Sequence, residues 1–401
     1  MSRNKYEEID LAEYIPLKSY VILNPEFRVG LFRELIVKFG SASALADLIG
    51  VNKSSIYDWF KGRVKIPLSN LVKCAKLVGM SKSELFKFIY SATARYASGT
   101  IFVKDWKLIL NEELSEWFGL LRGDGCISKK YVGFTNMSLA LSLFFMKILE
   151  NVFGVSKSNI EITIDIPSRK STNDSLSVIK LLYTKGYNRV IKRKRGKGKK
   201  ILLSPRVNSK VLAQLLKNLV KILQQLIENS SQKVKVAYVR GFAAAEGSAC
   251  QTNSVRVVSL TNKDLNELRF IKKLLYDVGI IYTTFERDKK GIYKLKITTQ
   301  PQLRLFYEKI GFGKYKEKNE KLANILRGYK KVLTRIYYKS KIIRYNEILQ
   351  LIKKKGKLTG KEIASGININ YTYVNKLLNE MLSKRLIYRT DGWPYFYHCK
   401  K

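Results

Sequence analysis

The middle of the chain contains the same pair of sequence blocks twice, and this internal repeat limits the possible folds more than any other feature. The first block reads LSEWFGLLRGDGCI at 114–127 and VAYVRGFAAAEGSA at 236–249. The second reads FTNMSLALSLFFMKILENV at 134–152 and LTNKDLNELRFIKKLLYDV at 260–278. The copies are offset by 122 residues in the first block and by 126 in the second, so four extra residues of the second copy fall where a hairpin is expected. Two matched blocks in one order predict two copies of one structural unit.

Small residues spaced four apart occur at matching places in both copies of the first block. They are Gly119 and Gly123 in one copy and Gly241 and Ala245 in the other. Residues four apart share one face of a helix, and two such faces allow two helix backbones to pack at close distance. The pattern therefore predicts a helix–helix interface between the two copies.

An acidic residue directly follows each small-residue face, Asp124 in the first copy and Glu246 in the second. If the two helices pack together, both carboxylates emerge at the same end, where like charges repel. A divalent cation removes that repulsion, and paired carboxylates at a pseudo-two-fold axis suit two-metal phosphodiester hydrolysis. Gly125 and Gly247 come next and are expected to take the left-handed conformation that ends a helix. The alternative is a pair of core helices whose acids only cap them or face solvent.

The charge of the chain indicates its partner. Lys and Arg total 75 against 32 Asp and Glu, for a formal net charge of +43 on 401 residues. A polyanion is the natural partner of such a chain, through neutralisation of phosphates. The alternative is a solvated basic surface without a polyanionic partner.

Composition excludes several kinds of site. There is a single histidine, and the four cysteines lie far apart, at Cys74, Cys126, Cys250 and Cys399. A zinc finger, a histidine-based metal nuclease and a disulfide framework are therefore disfavoured, and a catalytic metal would be held by oxygen ligands. The charged start and the lack of a long apolar run predict a soluble cytoplasmic protein, nucleoid-associated and of prokaryotic or archaeal type.

The N-terminal region has a helical pattern with short loops. Helices are expected at 27–38, 43–49, 53–61, 67–78 and 81–91, while 1–26 carries few signals and 92–112 is interpreted as a connector. Ala46 lies four residues before Gly50, which predicts two helices crossing through a tight turn. The block resembles the helix-turn-helix of the phage-repressor-like superfamily. That resemblance implies that the 53–61 helix enters a major groove; the alternative is a bundle that only packs. The candidate DNA-binding residues on this helix are Lys53, Ser54, Ser55, Tyr57 and Lys61.

The C-terminal region changes pattern again. Helices are expected at about 341–354, 359–365 and 369–384, followed by two short strands around the turn pair Asp391-Gly392. Three helices and a hairpin resemble a winged helix-turn-helix. Its recognition helix would present Asn370, Tyr371, Tyr373 and Lys376 to DNA. The alternative is a module that binds protein or has lost its function.

Three segments of the middle region bear on DNA contact. IYKLKIT (292–298) alternates Lys294, Lys296 and Thr298 with apolar residues, which suits a strand with one DNA-facing side. EITIDI (161–166) puts acids on one face, which is awkward against DNA, so this strand is expected at an edge. The basic run at 189–200 is interpreted as a solvated loop between the two halves, with contact to backbone phosphate as a second interpretation. Lys129 and Arg256 are further candidate DNA-binding residues.

The two-copy motif, with an acid in the penultimate place of each copy, resembles the LAGLIDADG homing endonuclease family in its single-chain, two-repeat form. The family's nine-residue motif falls on 117–125 and 239–247. The resemblance covers about 113–330 and implies an α+β fold, with two αββαββα repeats that form a saddle over duplex DNA. The domains expected are an all-α helix-turn-helix domain at 1–95, repeat 1 at 113–230, repeat 2 at 231–330 and a winged-helix domain at 338–401.

The resemblance also implies a chemistry. Asp124 and Glu246 would be the catalytic residues. Together with Gly123 and Ala245 they would bind Mg²⁺ or Mn²⁺. Each acid would serve the cleavage of one strand of double-stranded DNA, across the minor groove. The protein would act as a monomer with internal pseudo-two-fold symmetry.

The sequence departs from the family pattern in several places. Arg122 and Ala244 replace an earlier Asp, Arg240 is unusual beside the helix interface, and 248–250 lacks the basic residue common in relatives. An assisting lysine is therefore not identified. Two alternatives remain, a DNA-binding transcriptional regulator that has lost cleavage and an RNA maturase. Retention of both acids favours the nuclease, because a regulator has no need of either carboxylate.

Overall fold

The computed structural model describes residues 7–94, 99–167, 172–195, 200–251, 255–288, 290–328, 341–367, 369–392 and 394–399. The chain forms two compact units, Met1–Arg327 and Gly328–Lys401. Helices and sheets are both present in each unit, which confirms the α+β fold class. Among the described helices, none is long and apolar enough to cross a membrane.

The described part of the N-terminal region combines five α-helices with short strands. Its elements are β1 (Glu7–Asp10), β2 (Tyr20–Leu23), α1 (Pro25–Lys38), α2 (Ala42–Ile49), α3 (Lys53–Lys61), β3 (Ile66–Pro67), α4 (Leu68–Leu77), α5 (Lys82–Phe86), β4 (Ile89–Thr93) and β5 (Lys107–Leu110). Gly50 ends α2 at φ 80°, a left-handed conformation that favours glycine, so the tight turn into α3 forms as the sequence predicts.

Several expectations for this region are wrong. The region is not all-α, because β3, β2 and β4 form an antiparallel sheet. The helix expected at 81–91 ends at Phe86, since the following segment pairs with β2 as β4. The described part of the segment expected to be a connector is packed structure. β5 pairs with β1, and buried Trp106 donates a 2.7 Å hydrogen bond to the carbonyl of Ile89. Strand pairing to distant partners overrides the local pattern in each case.

The two sequence repeats form two related α+β units. Repeat 1 contains α6 (Glu112–Gly123), β6 (Gly125–Ile127), β7 (Val132–Phe134), α7 (Leu139–Asn151), β8 (Ile160–Pro167), α8 (Thr172–Thr184), β9 (Arg189–Arg195), β10 (Leu202–Val207) and α9 (Lys210–Asn229). Repeat 2 contains α10 (Gln232–Glu246), β11 (Gly247–Gln251), β12 (Arg256–Asn262), α11 (Leu265–Asp277), β13 (Thr283–Arg287), β14 (Tyr293–Ile297), α12 (Gln300–Lys309) and α13 (Lys316–Arg327).

The two sheets share one strand order. It is β11-β12-β14-β13 in repeat 2 and β6-β7-β10-β8 in repeat 1, where β9 is added beyond β8. The four extra residues of repeat 2 lie in hairpin β11–β12, whose strands are longer than β6 and β7. One face of the repeat 1 sheet packs against α7, where Phe134 stacks on Phe145 at 4.8 Å between ring centroids. The opposite face is the open face of the sheet.

The expectations for the acidic strand and the basic run are both wrong. The acidic strand is β8, and it lies inside the sheet between β10 and β9 rather than at an edge. The basic run begins not as a loop but as β9, which pairs in parallel with β8; residues 196–199 lie outside the described residues. The physical reason is charge pairing, because arginines of β9 bind the carboxylates that β8 presents.

The C-terminal unit contains three helices and a small sheet. Its elements are α14 (Lys341–Lys355), β15 (Leu358–Thr359), α15 (Gly360–Gly366), α16 (Tyr371–Ser383), β16 (Tyr388–Arg389) and β17 (Phe396–His398). The sheet order is β15-β17-β16, and Gly392 takes a positive φ in the turn between the last two strands. A core that includes Ile348, Ile363, Leu377 and Met381 joins the three helices.

Candidate active site at the helix interface

Helices α6 and α10 pack with their backbones in contact, and glycine makes this possible. A Cβ atom added to Gly119 would lie 2.1 Å from the carbonyl oxygen of Tyr238, and one added to Gly241 would lie 1.9 Å from that of Glu116. At Gly123, an added Cβ would lie 2.4 Å from the Cβ of Ala245. These distances are far below van der Waals contact, so side chains at these glycines would push the repeats apart.

The two acids of the motif lie at the ends of these helices. Asp124 is the C-terminal cap of α6, and Glu246 is the last residue of α10. A Cβ added to Gly123 would lie 3.2 Å from the Cγ of Glu246, so the side chain of one repeat crosses the helix end of the other. The structure therefore brings the two predicted catalytic residues together.

Burial makes both carboxyl groups difficult to ionise. Desolvation is the main cause of the raised pKa of Asp124, opposed by a 2.6 Å hydrogen bond from the side-chain amide of Asn136. The pKa of Glu246 rises to about 7, through desolvation first and the charge of Asp124 second. The hydroxyl of Thr261 donates to Glu246 at 3.3 Å and partly offsets this. Two such carboxyl groups form a site that favours a positively charged ligand.

Lys318 supplies a positive charge to this site from α13. Its ammonium group donates hydrogen bonds to the carbonyl oxygens of Ala244 at 2.7 Å and Ala245 at 2.8 Å, which are end carbonyls of α10. Burial lowers its pKa to about 8, although the charges of Asp124 and Glu246 act in the opposite direction. A cation at the C-terminal end of a helix is favourable because the last carbonyls lack intrahelical partners.

Sequence reasoning missed Lys318. It lies 72 residues after Glu246, within the lysine-rich helix α13, where no local pattern distinguishes it from its neighbours. Only the packing of α13 against the end of α10 identifies it.

The donor atoms at the helix ends fit a hard divalent cation. Within the described residues, no three or more His, Cys, Asp and Glu side chains cluster so as to hold a metal ion. A cation at this site would therefore be held by two carboxylates, by backbone carbonyls and by oxygens of a bound phosphate, the donor type that Mg²⁺ and Mn²⁺ prefer. The carbonyl of Ala245, which the family resemblance assigns to the metal, accepts a hydrogen bond from Lys318 here.

The two unusual arginines connect the repeats. Arg122 of α6 reaches the fully buried carboxylate of Glu267 in repeat 2 at 2.7 Å, and Tyr238 donates to the same carboxylate. Arg240 of α10 donates to the carbonyl of Ile310 at 2.9 Å and lies 3.8 Å from the carboxylate of Glu116 in repeat 1. Both therefore have a structural use near the helix interface.

The glycines after the acids differ from expectation. Gly125 and Gly247 do not adopt the left-handed conformation; the φ of Gly247 is −83°. They are required for close approach instead, because an added Cβ would lie 2.3 Å from the carbonyl of Leu121 and 2.4 Å from that of Ala243. In both repeats the chain turns directly from helix into strand at this point.

Two candidate DNA-binding residues of repeat 2, Lys294 and Lys296, lie on the open face of its sheet, opposite the face that buries Leu295 and Ile297; Arg256 lies on the same side of β12 as buried Val258. Lys294 and Lys296 of β14 are beside Thr261 and Ser259 of β12, while Leu295 and Ile297 are fully buried on the other face. Each lysine has an acidic partner, Asp288 at 3.5 Å for Lys294 and Glu286 for Lys296. The remaining candidates are Thr298, exposed just after β14, Arg256 at the start of β12 and Lys129, exposed between β6 and β7.

The candidate residues of the two outer modules lie on exposed helix faces. On α3, Ile56 and Trp59 are buried. Lys53, Ser54, Tyr57 and Lys61 are exposed on that helix and Ser55 is half-buried. In the C-terminal unit, Asn370 caps α16, Tyr371 and Lys376 are exposed, and Tyr373 is half-buried.

Comparison with protein families identifies two segments. Residues 233–311 match the LAGLIDADG-like domain, and residues 40–85 match a helix-turn-helix. The chain is 30% identical over 111 residues to the homing endonuclease I-ApeI of Aeropyrum pernix, a match that covers 27% of this chain and 50% of that protein. The chain thus spans about half the length of this curated relative.

Several solved structures resemble the chain at low sequence identity. Mesophilic variants from the homing endonuclease I-DmoI are 20% identical with a TM-score of 0.33, covering 50% of this chain and 90% of that one. I-DmoI in complex with DNA and Mn is 18% identical with a TM-score of 0.30, covering 51% and 98%. Full-length DUF199/WhiA from Thermatoga maritima is 14% identical with a TM-score of 0.33, covering 68% and 90%.

Proposed function

We propose that this chain, a LAGLIDADG-type protein with a helix-turn-helix region, is a site-specific, divalent-metal-dependent endonuclease of the homing type that acts on double-stranded DNA. It hydrolyses one phosphodiester bond in each strand across the minor groove, as a monomer with internal pseudo-two-fold symmetry. In this proposal 1–95 and 338–401 are accessory DNA-binding domains, the latter a winged helix, and 113–230 and 231–330 are the two halves of the saddle.

One observation supports the nuclease above the other candidates. Asp124 and Glu246 are held, partly buried, at adjacent ends of two helices in backbone contact, and both have raised pKa values. Desolvating two like charges side by side costs stability, and DNA binding through the sheets does not need them. An arrangement that costs stability at matched positions of both repeats is typical of a catalytic site.

The chain's own groups have distinct roles in the proposed reaction. Asp124 and Glu246 would hold the divalent cation, which when bound stabilises the negative charge that develops on the phosphate and the leaving oxygen. Asn136 and Thr261 orient the two carboxylates through their hydrogen bonds. The ammonium of Lys318 keeps a positive charge beside Glu246. The open faces of the two sheets position the duplex through polar and basic side chains.

The test is a cleavage selection followed by variants of the two acids. The protein is incubated with a library of duplexes and Mg²⁺, and the cut ends are sequenced to find the target. Asp124→Asn and Glu246→Gln are expected to lose cleavage of that target while they still bind it. Glu320→Gln makes the same chemical change on the exposed surface of α13 and is expected to cut normally. Cleavage that survives both active-site changes would refute the proposal.

The non-cleaving regulator remains the second candidate because of Lys318. Its ammonium already stands beside both carboxylates and binds the carbonyl of Ala245, so the pair is partly neutralised without a metal. A regulator could keep the scaffold stable in this way. If the protein binds one duplex specifically and never nicks it with Mg²⁺ or Mn²⁺, the regulator is the better assignment.

A further inference from the structure

Repeat 1 has a fifth strand that repeat 2 lacks at the matching position of its described sheet. After β8 the chain passes through helix α8 and returns as β9, parallel to β8. Parallel pairing requires such a crossover connection, so α8 and β9 form one insertion in the repeat pattern. The insertion widens the open face by one strand spacing, about 4.8 Å, or between one and two base pairs at about 3.4 Å each.

On this open face, two arginines of β9 are bound to two carboxylates of β8. The guanidinium of Arg193 grips Asp165 with two hydrogen bonds, from Nε at 2.7 Å and Nη2 at 3.0 Å. Arg189 donates to Glu161 through Nη2 at 3.0 Å. Strand register places both pairs on the same face as Arg206 of β10, which lies beside Glu161.

The partners in each pair differ in exposure. The side chain of Asp165 is 5% exposed, whereas that of Arg193 is 68% exposed. A guanidinium has five N–H groups, so the two bonds to Asp165 leave donors directed to solvent. In this pair a buried carboxylate thus fixes a guanidinium whose remaining N–H donors are exposed.

Charge argues against a role of these two pairs as a simple phosphate clamp. Each arginine is matched by one carboxylate, so the two pairs together add no net charge. Phosphate affinity depends on net positive charge, whereas base recognition depends on donors held in a fixed direction. The two hydrogen bonds to the buried carboxylate of Asp165 fix the plane of the Arg193 guanidinium, and this reduces the conformational entropy that the side chain loses when it binds a base edge.

The outermost strand of the described repeat 2 sheet is β13, which matches β8 in the strand order, and it is chemically different from β9. On the open face, β13 presents Thr284 and Glu286 beside Lys296 and Lys294 of β14. The two outer ends of the saddle therefore offer different groups to DNA.

We propose that β9 is a base-reading strand, in which Arg193 and Arg189, fixed by Asp165 and Glu161, recognise guanines at one outer end of the duplex target. This rests on the proposed function only in requiring a duplex partner; it does not require cleavage. Arginine bound to the O6 and N7 acceptors of guanine is the chemistry expected.

The experiment uses the full chain with labelled duplexes in EDTA, so that binding is measured without cutting. Wild type is compared with Asp165→Asn on the selected target and on every single-base-pair variant of it. Asp165→Asn keeps Arg193 and adds one positive charge, so affinity for unrelated duplexes is expected to rise slightly. Discrimination at one or two base pairs at a single end of the target is expected to fall by about 5- to 150-fold, the range for loss of a good arginine–guanine pair.

A second variant and a control make the result decisive. The double variant Asp165→Asn/Arg193→Gln removes both charges while keeping hydrogen-bonding groups, and should lose the same discrimination and one to two base pairs of hydroxyl-radical footprint at that end. Glu320→Gln adds the same charge on exposed α13 and should leave discrimination unchanged. If Asp165→Asn changes affinity equally for all duplexes, or for none, the ion pairs serve only to neutralise the carboxylates of β8, and the inference is overturned. A wild-type protein that prefers no duplex would overturn the proposed function itself, and this inference with it.

Discussion

Replacing Gly119 by alanine tests the backbone contact between the two repeats. The new methyl group would lie 2.1 Å from the carbonyl oxygen of Tyr238 and 2.7 Å from the backbone nitrogen of Phe242. Ordinary contacts of this kind are more than 3 Å, so α6 and α10 must separate by about 1 Å. Both neighbours belong to helix backbone, which cannot move aside as a flexible side chain can.

The size of the effect follows from two opposing contributions. Overpacking a close-packed core costs about 1–3 kcal/mol and sometimes more, and the contact here is with backbone among fully buried aromatic side chains such as Trp117 and Phe242. Alanine gains about 1 kcal/mol over glycine in helix propensity. Because the contact is with backbone that cannot move aside, the upper end of the overpacking cost applies, about 3 kcal/mol. After the propensity gain is subtracted, we expect Gly119→Ala to lower the free energy of unfolding by about 2 kcal/mol.

The assay is urea unfolding followed by circular dichroism, with Gly30→Ala as the matched control. Gly30 lies within α1, is exposed, and a Cβ added there meets nothing within 4 Å. The same substitution should stabilise the protein at this position, by up to about 1 kcal/mol. If Gly119→Ala were as harmless as Gly30→Ala, the two helices would not be in backbone contact and the shared carboxylate site would lose its structural basis.

Two further predictions concern charges near this interface. Because the pKa of Glu246 is about 7 in the folded protein against an ordinary 4.5, the folded state disfavours its charged form, and this group lowers stability progressively as pH rises from about 5 to 8. Glu246→Gln should therefore raise the free energy of unfolding, measured by urea titration in EDTA, by about 1–2 kcal/mol at pH 8 after allowance for the partial exposure of Glu246, and change it little at pH 5. An equal effect at both pH values would contradict the burial argument. Arg122→Leu should destabilise the protein by about 3 kcal/mol, since it leaves the buried Glu267 carboxylate without its cation. In the same urea assay, the double variant Arg122→Leu/Glu267→Gln should recover part of the lost stability. If it recovers none, the two residues are not coupled.

The parts of the fold that could be predicted from sequence are those specified by local periodicity. Small residues four apart define the contacting faces of α6 and α10, and apolar alternation defines β14 with Leu295 and Ile297 inward. The turn at Gly50 follows from its need for a positive φ. In each case the residues that specify the structure lie within one or two turns of each other in the chain.

The parts that could not be predicted depend on distant partners. A run rich in Lys and Arg has low strand propensity, and β9 forms because β8 offers it carboxylates and a free edge 28 residues earlier. β4 and β5 likewise depend on β2 and β1. Lys318 belongs to the site because α13 packs over the end of α10, and its own sequence surroundings are ordinary for an exposed helix.

The two halves of the site, although related by the repeat, are not chemically equal. Asp124 accepts a hydrogen bond from Asn136, whereas Glu246 accepts one from Thr261. In addition, Lys318 of α13 donates to the carbonyls at the end of α10, the helix that ends at Glu246. A dimer of identical chains must present two equal halves, but a single chain can change each half independently. Because the pKa of each acid depends on its own partners, a substitution beside one carboxylate changes the surroundings of that group without the same change at the other. The two repeats differ at the outer end of their sheets as well, because β9 is inserted in repeat 1 and has no counterpart in the described sheet of repeat 2.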